Sequence, residues 1–285
     1  MLRVYGRQRF LYASFFLLAL GFCANVLGTG ECKADPSIAL KNKYNEHDFL
    51  AACREGNVDV VRYFLDQDDF DANEQFISGV TGIPVHGLFL AAQESRVEVL
   101  QSLIDAGADV NQTYKRASPL LVAAQNGDVR VVEILVNTQG VDVNQAQYND
   151  FTPLFLAAQN GHAKIVELLL RAQRIAVNWA QSDGSTALFI AAQNGYPDIV
   201  EMLLTGGADY TLKWRFWKFI TRSPLDVARR SRPWIRRKKP DEYDRYTRII
   251  NVLTQATESV TTSPLSEKTP LLEAFSALRL QNDSK

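Results

Sequence analysis

The sequence predicts an all-α solenoid in which short helix–turn–helix repeats stack side by side. The string Ala-Ala-Gln-Asn-Gly occurs at 123–127, 157–161 and 191–195, so that each copy follows the last by 34 residues. Self-similarity at a fixed period of about 33 residues is typical of an array in which each unit contacts only its neighbours. The apolar residues after each string recur at helical spacing. We therefore expect five recognisable repeats, followed by a divergent sixth unit that caps the array.

The fourth repeat, residues 150–178, shows how one unit is expected to fold. Thr152 is a natural N-cap, and Pro153 stands at the first helical position, where its missing N–H costs nothing. Gly161 can take a left-handed conformation, which ends this helix and reverses the chain. The second helix then carries an apolar stripe formed by Ile165, Val166, Leu169 and Leu170.

This pattern closely resembles the ankyrin repeat, which reads G-x-T-P-L-H-x-A-A-x-x-G-H-x-x-I-V-x-L-L-L-x-x-G-A-D-V-N. The resemblance extends over about residues 45–256. It implies an inner helix, an outer helix and a projecting finger in each repeat, and a protein that binds other proteins. The histidine that the family has after Thr-Pro-Leu is replaced by apolar residues, which predicts apolar packing there: Phe89, Leu121, Phe155 and Phe189.

Two repeats depart further from the family pattern. The second has Glu94-Ser95-Arg96 where a glycine turn is expected, so its inter-helix turn departs from the family pattern. The first lacks Thr-Pro, as a repeat that caps the N-terminal end of an array can.

The spacing of these landmarks predicts the domain boundaries. The repeats occupy about 45–77, 78–113, 114–146, 147–180 and 181–213, and the divergent sixth unit occupies 222–256. The fingers before Leu88 and Leu225 are longer than the others. About 13 residues are predicted as an insertion between the helices of the sixth unit, since Ile249 follows Ala228 by 21 residues. Residues 257–285 form a polar tail, either a weakly ordered end or a partial cap with one short helix.

The N-terminal segment, residues 1–34, has the pattern of an export signal. Three arginines precede an uncharged, largely apolar run from Phe10 to Gly30. This run fits a cleaved signal peptide, and it is also long enough to remain as a single membrane anchor. The charge difference across the run predicts a cytoplasmic N-terminus. We therefore expect the repeats to be secreted or periplasmic, or anchored by a single span with the repeats on the non-cytoplasmic side.

The composition gives little support for catalysis. The formal net charge of −1 shows no overall bias toward nucleic acid, which is not expected as a partner. His47, His86 and His162 fall in three different repeats without ligand spacing, so that no metal site, cofactor or small-molecule substrate is predicted. Cys53 aligns with an alanine of the later inner helices. It is interpreted as a packed small residue, with a reactive thiol or a bridge to Cys32 as the alternatives.

A first candidate surface follows from the geometry that the resemblance implies. In the family arrangement, residues just after the paired alanines and residues at the finger tips line a concave face. Amide side chains offer both donors and acceptors, and exposed aromatic residues are common interface anchors. The candidates for binding another protein are Gln93, Glu94, Gln125, Asn126, Gln159, Asn160, Gln193, Asn194, Tyr114, Lys115, Tyr148, Asn149 and Phe151, with Ser182 and Asp183 at the next finger. The alternative is that the repeats share these residues only through duplication.

A second candidate surface is basic and aromatic. Residues 213–239 contain 11 Lys or Arg and one acidic residue, Asp226. This segment can bind an anionic surface such as membrane headgroups, or it can be a solvated cap whose aromatic residues cover the end of the stack. The candidate residues are Trp214, Arg215, Trp217, Arg229, Arg230, Trp234, Arg236, Arg237, Lys238 and Lys239.

Two classes of function therefore compete. The first is a non-catalytic binding scaffold. The second is an enzyme or secreted effector in which the repeats only target a catalytic segment. Too few residues follow the repeats to bury a catalytic core, which favours the scaffold.

Overall fold

The computed structural model of the protein describes residues 44–77, 83–147, 150–216, 220–235 and 240–261. The predicted signal or anchor segment and the predicted short helix of the tail lie outside these residues. Within the described part, the chain forms helix pairs joined by extended fingers, which confirms the predicted all-α solenoid.

The first helix of each pair belongs to an inner layer and the second to an outer layer. Each inner helix packs against the inner helix of the next unit and against its own outer partner. The inner helices are α1 (Glu46–Glu55), α3 (Gly87–Gln93), α5 (Pro119–Asn126), α7 (Pro153–Asn160), α9 (Ala187–Asn194) and α11 (Pro224–Ile235). The outer helices are α2 (Val58–Leu65), α4 (Val97–Asp105), α6 (Val129–Asn137), α8 (Ala163–Arg171), α10 (Pro197–Thr205) and α12 (Pro240–Thr261).

The local signals of the repeats act as the sequence predicts. The Thr152 hydroxyl accepts from the backbone N–H of Phe155, and Pro153 opens α7. Gly161 ends that helix with φ +79°. Its paired alanines, Ala157 and Ala158, are completely buried, and a small side chain at these positions lets the inner helices approach closely.

The core is one continuous apolar layer between the two rows of helices. In α8, Ile165, Val166 and Leu169 are fully buried, whereas Leu170 is half-buried. The apolar residues in place of the family histidine are buried as predicted: Phe89, Leu121, Phe155 and Phe189.

The turn of the second repeat forms without glycine. Ser95 adopts φ +57° where the other repeats have a left-handed glycine. The backbone N–H of Arg96 donates to the carbonyl of Ala91 and closes the turn. Arg96 then reaches back to the first repeat, and its Nε donates to the carbonyl of Arg54 at 2.8 Å.

The two long fingers form antiparallel hairpins. Strand β1 (Phe76–Ile77) pairs with β2 (Pro84–Val85), and β3 (Trp214–Phe216) pairs with β4 (Ile220–Arg222). The hairpin tips, 78–82 and 217–219, lie outside the described residues. Each of the two fingers that the spacing predicts to be longer thus contains a strand pair.

The sixth unit differs from its prediction. The extra residues do not form an insertion between two short helices: α11 continues to Ile235, and α12 already begins at Pro240. Helix α12 also continues past the predicted boundary at residue 256, to Thr261. Its buried side includes Ile249, as predicted. In α12, Arg248 binds both Glu201 carboxylate oxygens and Asp198 on α10, at 2.7–2.8 Å, and so fastens the unit to the fifth repeat.

No described helix combines the length and the apolar character that crossing a membrane requires.

Candidate interaction surface

The glutamines of the repeated string form a row on the inner helices. Gln125, Gln159 and Gln193 each lie six residues after the first residue of their helix. Gln125 and Gln193 are exposed, and Gln159 is half-buried. Within the described residues, none of the three side-chain amides makes a hydrogen bond. In the second repeat, Gln93 is exposed as well, but its Nε2 donates to the carboxylate of Glu94 at 3.2 Å.

The asparagines next to these glutamines are engaged in structure. The Nδ2 of each donates to the carbonyl of the glutamine in the preceding repeat. The distances are 3.0 Å from Asn126 to Gln93, 2.8 Å from Asn160 to Gln125 and 2.8 Å from Asn194 to Gln159. The side-chain amides of these three asparagines thus connect neighbouring inner helices. The predicted candidates separate into free glutamine amides and bonded asparagine amides.

A second asparagine row joins the fingers. The Oδ1 of each asparagine accepts a hydrogen bond from a backbone N–H of the next repeat, and its Nδ2 donates to a backbone carbonyl of that next repeat. For Asn144, the bonds to the N–H of Ala176 and the carbonyl of Arg174 are 2.8 Å and 2.7 Å. The row consists of Asn73, Asn111, Asn144 and Asn178. These bonds fix the spacing of the fingers.

The inter-helix turns are covered by side chains from the next unit. The ring of His162 lies against Gly127, and that of Tyr196 against Gly161, where an added Cβ would stand 2.7 Å from each ring. At the end of the array, Tyr246 of α12 lies against Gly195, and its hydroxyl donates to the carbonyl of Gln193 at 2.6 Å. Burial raises the pKa of Tyr246, which keeps this hydroxyl protonated.

The aromatic side chains of the shorter fingers are only partly exposed to solvent. Tyr114 and Phe151 are half-buried, with ring centroids 5.0 Å from Phe89 and 5.4 Å from Phe155. Lys115 is exposed and lies over the Tyr114 ring at 5.1 Å. The candidates Tyr148 and Asn149 lie outside the described residues.

Sequence reasoning missed Trp179, which is 40% exposed at the base of the fourth finger. At the same place in two earlier fingers, Gln112 and Gln145 donate through Nε2 to the carbonyls of Asn73 and Asn111, at 3.1 Å and 2.9 Å. An alignment of the residues after each finger asparagine would have revealed this exchange of a glutamine for a tryptophan. The substitution interrupts a structural row and exposes an aromatic ring.

The basic segment is divided between packing and exposure. Trp214 is half-buried, stacks on Phe189 with centroids 5.4 Å apart, and donates through Nε1 to Asp183 at 2.8 Å. By contrast, Arg215, Arg229 and Arg230 are exposed. Trp217, the Trp234 side chain and residues Arg236, Arg237, Lys238 and Lys239 lie outside the described part of the chain.

Two titratable side chains, Cys53 and His86, are buried in the first two repeats. Cys53 is completely buried, and desolvation raises the pKa of its thiol to about 12, which confirms the packing interpretation. His86 stands at the N-cap position of α3, where α5, α7 and α9 have Ser or Thr, and burial lowers its pKa, which favours the neutral imidazole. Across the described residues, no three His, Cys, Asp or Glu side chains are placed to hold a metal ion.

Comparisons with known proteins agree with this geometry. The family of ankyrin repeats (three copies) matches residues 88–176 and 120–213. A putative ankyrin repeat-containing protein of Treponema pallidum (strain Nichols) is 37% identical over 101 residues, covering 35% of this chain and 32% of that protein. The crystal structure of EF0377, an ankyrin repeat protein, is similar with a TM-score of 0.62 at 27% identity, covering 74% of this chain and 98% of that one. The chain thus spans about a third of the length of the curated relative.

Proposed function

The chain is an ankyrin-repeat protein, and we propose that it is a non-catalytic scaffold that binds another protein through its concave inner-helix and finger face. Ankyrin repeats are generally protein–protein interaction modules, and the family is typically non-catalytic. The observation that carries the proposal is the contrast between neighbouring amides. Each asparagine of the string is engaged by the preceding repeat, whereas Gln125, Gln159 and Gln193 present amides without a partner in the described chain.

These amides support a binding role because none of them makes a hydrogen bond within the described residues, and because Gln125 and Gln193 are exposed and Gln159 is half-buried. A solvated amide can exchange its water for a partner's polar group at little cost, and the half-buried Tyr114 and Phe151 of the fingers offer apolar area. The exposed Trp179 extends the aromatic area toward the fourth finger.

Capture of partners by the full chain tests this proposal. The triple variant Gln125→Ala, Gln159→Ala and Gln193→Ala is compared with wild type. A matched triple variant on the outer helices changes the exposed residues Gln101, Arg130 and Glu133 to alanine. We expect the main captured protein to be lost from the first variant and retained by the second. Retention by the first variant, or equal loss from both, would contradict the concave-face proposal.

A second candidate function is binding to an anionic surface, such as lipid headgroups, through residues 213–239. Its support is the exposure of Lys213, Arg215, Arg229 and Arg230 within a segment that carries one acidic residue. The packing of Trp214 on Phe189 favours the cap interpretation for that aromatic residue. Sedimentation with phosphatidylserine vesicles tests the function. Replacement of Arg229, Arg230 and residues 236–239 by serine should abolish binding, whereas unchanged binding excludes this surface.

Export of the repeats remains part of the proposal, supported by the arginines before the apolar run of residues 10–30. A fusion of the full chain to a reporter that is active only outside the cytoplasm tests it. An inactive but stable fusion would contradict export. A targeting role within a secreted effector would instead require a separate catalytic protein among the captured partners.

A further inference from the structure

The row of free glutamines continues into the sixth unit with a change of chemistry. Arg230 lies six residues after the first residue of α11, the same position that Gln125, Gln159 and Gln193 occupy in their helices. Helix α11 packs beside α9, so the row runs on without a gap. Arg230 is exposed and has no ion pair within the described residues. The row therefore consists of three neutral amides and a terminal cation.

Primary amides at regular spacing suit a partner whose own backbone is unpaired. A helix satisfies its backbone N–H and C=O groups internally, so a helical partner would offer this row only side chains. A polyproline-II segment has no internal hydrogen bonds and leaves its backbone groups available. The donor and acceptor of each glutamine can bond to such a backbone whatever its side chains are.

The repeat spacing also selects among extended conformations. Packed helices lie about 8–10 Å apart. A polyproline-II helix rises about 3.1 Å per residue with three residues per turn, so equivalent groups recur about every 9 Å on the same side. A β-strand reaches a similar distance after three residues, but the side chains at that step point to the opposite face. The row is therefore in register with a three-residue period.

The terminal arginine adds charge complementarity. Arg229 is exposed next to Arg230, and residues 213–239 carry 11 basic residues against one acidic residue. Three steps separate Gln125 from Arg230. A segment in this register would span about ten residues and meet the arginines at one end. A carboxylate at that end would be attracted, and a lysine would be repelled.

We propose that the concave face binds an extended, polyproline-II-like protein segment of about ten residues, with backbone groups on Gln125, Gln159 and Gln193 and an acidic end at Arg230. The proposal rests on the proposed scaffold function and names the chemistry of its partner. The proposed occupant is therefore an extended segment, and neither an amphipathic helix nor a second copy of the chain.

Fluorescence anisotropy with synthetic peptides and the full chain tests the proposal. The probe is three Pro-Pro-Leu triplets flanked by two glutamates at each end and labelled with fluorescein. The comparison peptides carry lysines at both ends, or the same acidic ends on an Ala-rich helix of about 20 residues, long enough to be helical. We expect the first peptide to bind at least about tenfold more tightly than either comparison peptide, and the double variant Gln125→Ala and Gln159→Ala to weaken it by about tenfold or more.

Arginine variants separate the acidic end from general electrostatics. Arg230→Ser should weaken the acidic peptide several-fold, whereas Arg130→Ser, at an exposed arginine of α6, should leave it unchanged. Equal or tighter binding of the helical peptide overturns the proposal. So does binding that ignores the glutamine variants, or self-association of the chain that these variants abolish.

Failure of this proposal can be told apart from failure of the scaffold function. A photo-cross-linking amino acid is placed at position 159, on the concave face, or at position 130, on the outer helices. If no peptide binds but position 159 captures a protein, the extended-segment proposal fails and the scaffold stands. If no peptide binds and only position 130 captures, or neither does, both fail.

Discussion

On the inner helices, the glutamines and the asparagines of the repeated string are adjacent in sequence but differ in their hydrogen bonds. Asn160 donates its amide to the preceding repeat at 2.8 Å, while the amide of Gln159 has no partner in the described chain. The asparagine stem is one methylene shorter and stands at the helix end, next to the left-handed Gly161, within reach of the neighbouring carbonyl. The same primary amide thus connects repeats at one position and, in our proposal, is available for recognition at the next. Changes in each row should separate these roles.

The largest loss of stability is expected in the finger row. Asn144→Ala removes two bonds between the third and fourth repeats and leaves the N–H of Ala176 and the carbonyl of Arg174 unpaired. At about 1 kcal/mol for each bond, the free energy of unfolding should fall by about 2 kcal/mol. Urea denaturation followed by circular dichroism measures it. Asn137→Ala, whose amide bonds only within α6, is the control, and an equal effect of both changes would contradict the role of the row.

Asn160→Ala should have an intermediate effect. The variant loses one bond to Gln125, which we expect to lower the free energy of unfolding by about 1 kcal/mol. Gln159→Ala, at the same helix end, is the control. Because Asn→Ala gains more helix propensity than Gln→Ala, a lower urea midpoint for Asn160→Ala gives a lower bound on the bond. A higher midpoint for Asn160→Ala than for Gln159→Ala would mean that the bond contributes nothing.

Tyr246→Phe tests whether the C-terminal helix replaces a following repeat. The change removes the hydroxyl that donates to Gln193 and keeps the ring over Gly195, so stability should fall by about 1 kcal/mol. Amide hydrogen exchange should show the loss of protection in α11 and α12 before the central repeats. Tyr210→Phe, at a half-buried tyrosine of the fifth finger, provides the control. Uniform loss across the chain would argue against a local cap.

Trp179→Gln should raise stability slightly. A glutamine here can donate to the carbonyl of Asn144, as Gln145 does to Asn111, with a gain of about 0.5 kcal/mol. The reverse exchange, Gln145→Trp, should lower the urea midpoint. If Trp179→Gln also weakens partner capture, the tryptophan serves binding at the expense of cohesion. A destabilised Trp179→Gln variant would mean that its indole packs usefully.

The smallest effect on stability is expected in the glutamine row. Gln159→Ala should change the free energy of unfolding by less than about 0.5 kcal/mol, because the half-buried side chain that is removed makes no hydrogen bond within the described residues. The same variant should reduce binding of the captured partner, measured by surface plasmon resonance on the purified pair. A large loss of stability would place Gln159 among the structural amides and remove the basis for a recognition row.

The parts of the fold that depend on one repeat could be predicted from the sequence. The Thr152 cap, the left-handed Gly161 and the buried Phe155 follow from local chemistry, and the structure contains all three. Ser95 and the bonds of Asn160 could not be predicted in this way. The left-handed conformation of Ser95 is strained, and whether it forms depends on the packing around the turn. The Asn160 bond depends on the position of the Gln125 carbonyl, which lies one repeat away.

The sixth unit shows the same limit at larger scale. The spacing between Ala228 and Ile249 correctly predicted that this unit has more residues than the other repeats. Sequence periodicity alone did not show that these residues would lengthen α11 and α12. For the candidate site, residue types and spacing indicated the face. They did not show which of two adjacent amides was already engaged, because that is decided between repeats.

The bonds between repeats connect each unit only to the next, at equivalent atoms. Removing residues 128–161 would bring Asn194 opposite Gln125 and Tyr196 opposite Gly127, each with the partner type that it has now. The first two repeats and the sixth unit have contacts of their own, such as the bond from Arg96 to Arg54. The chain can therefore gain or lose a central unit in evolution while these asparagine and ring contacts are kept, and the length of its glutamine row is adjustable in whole steps.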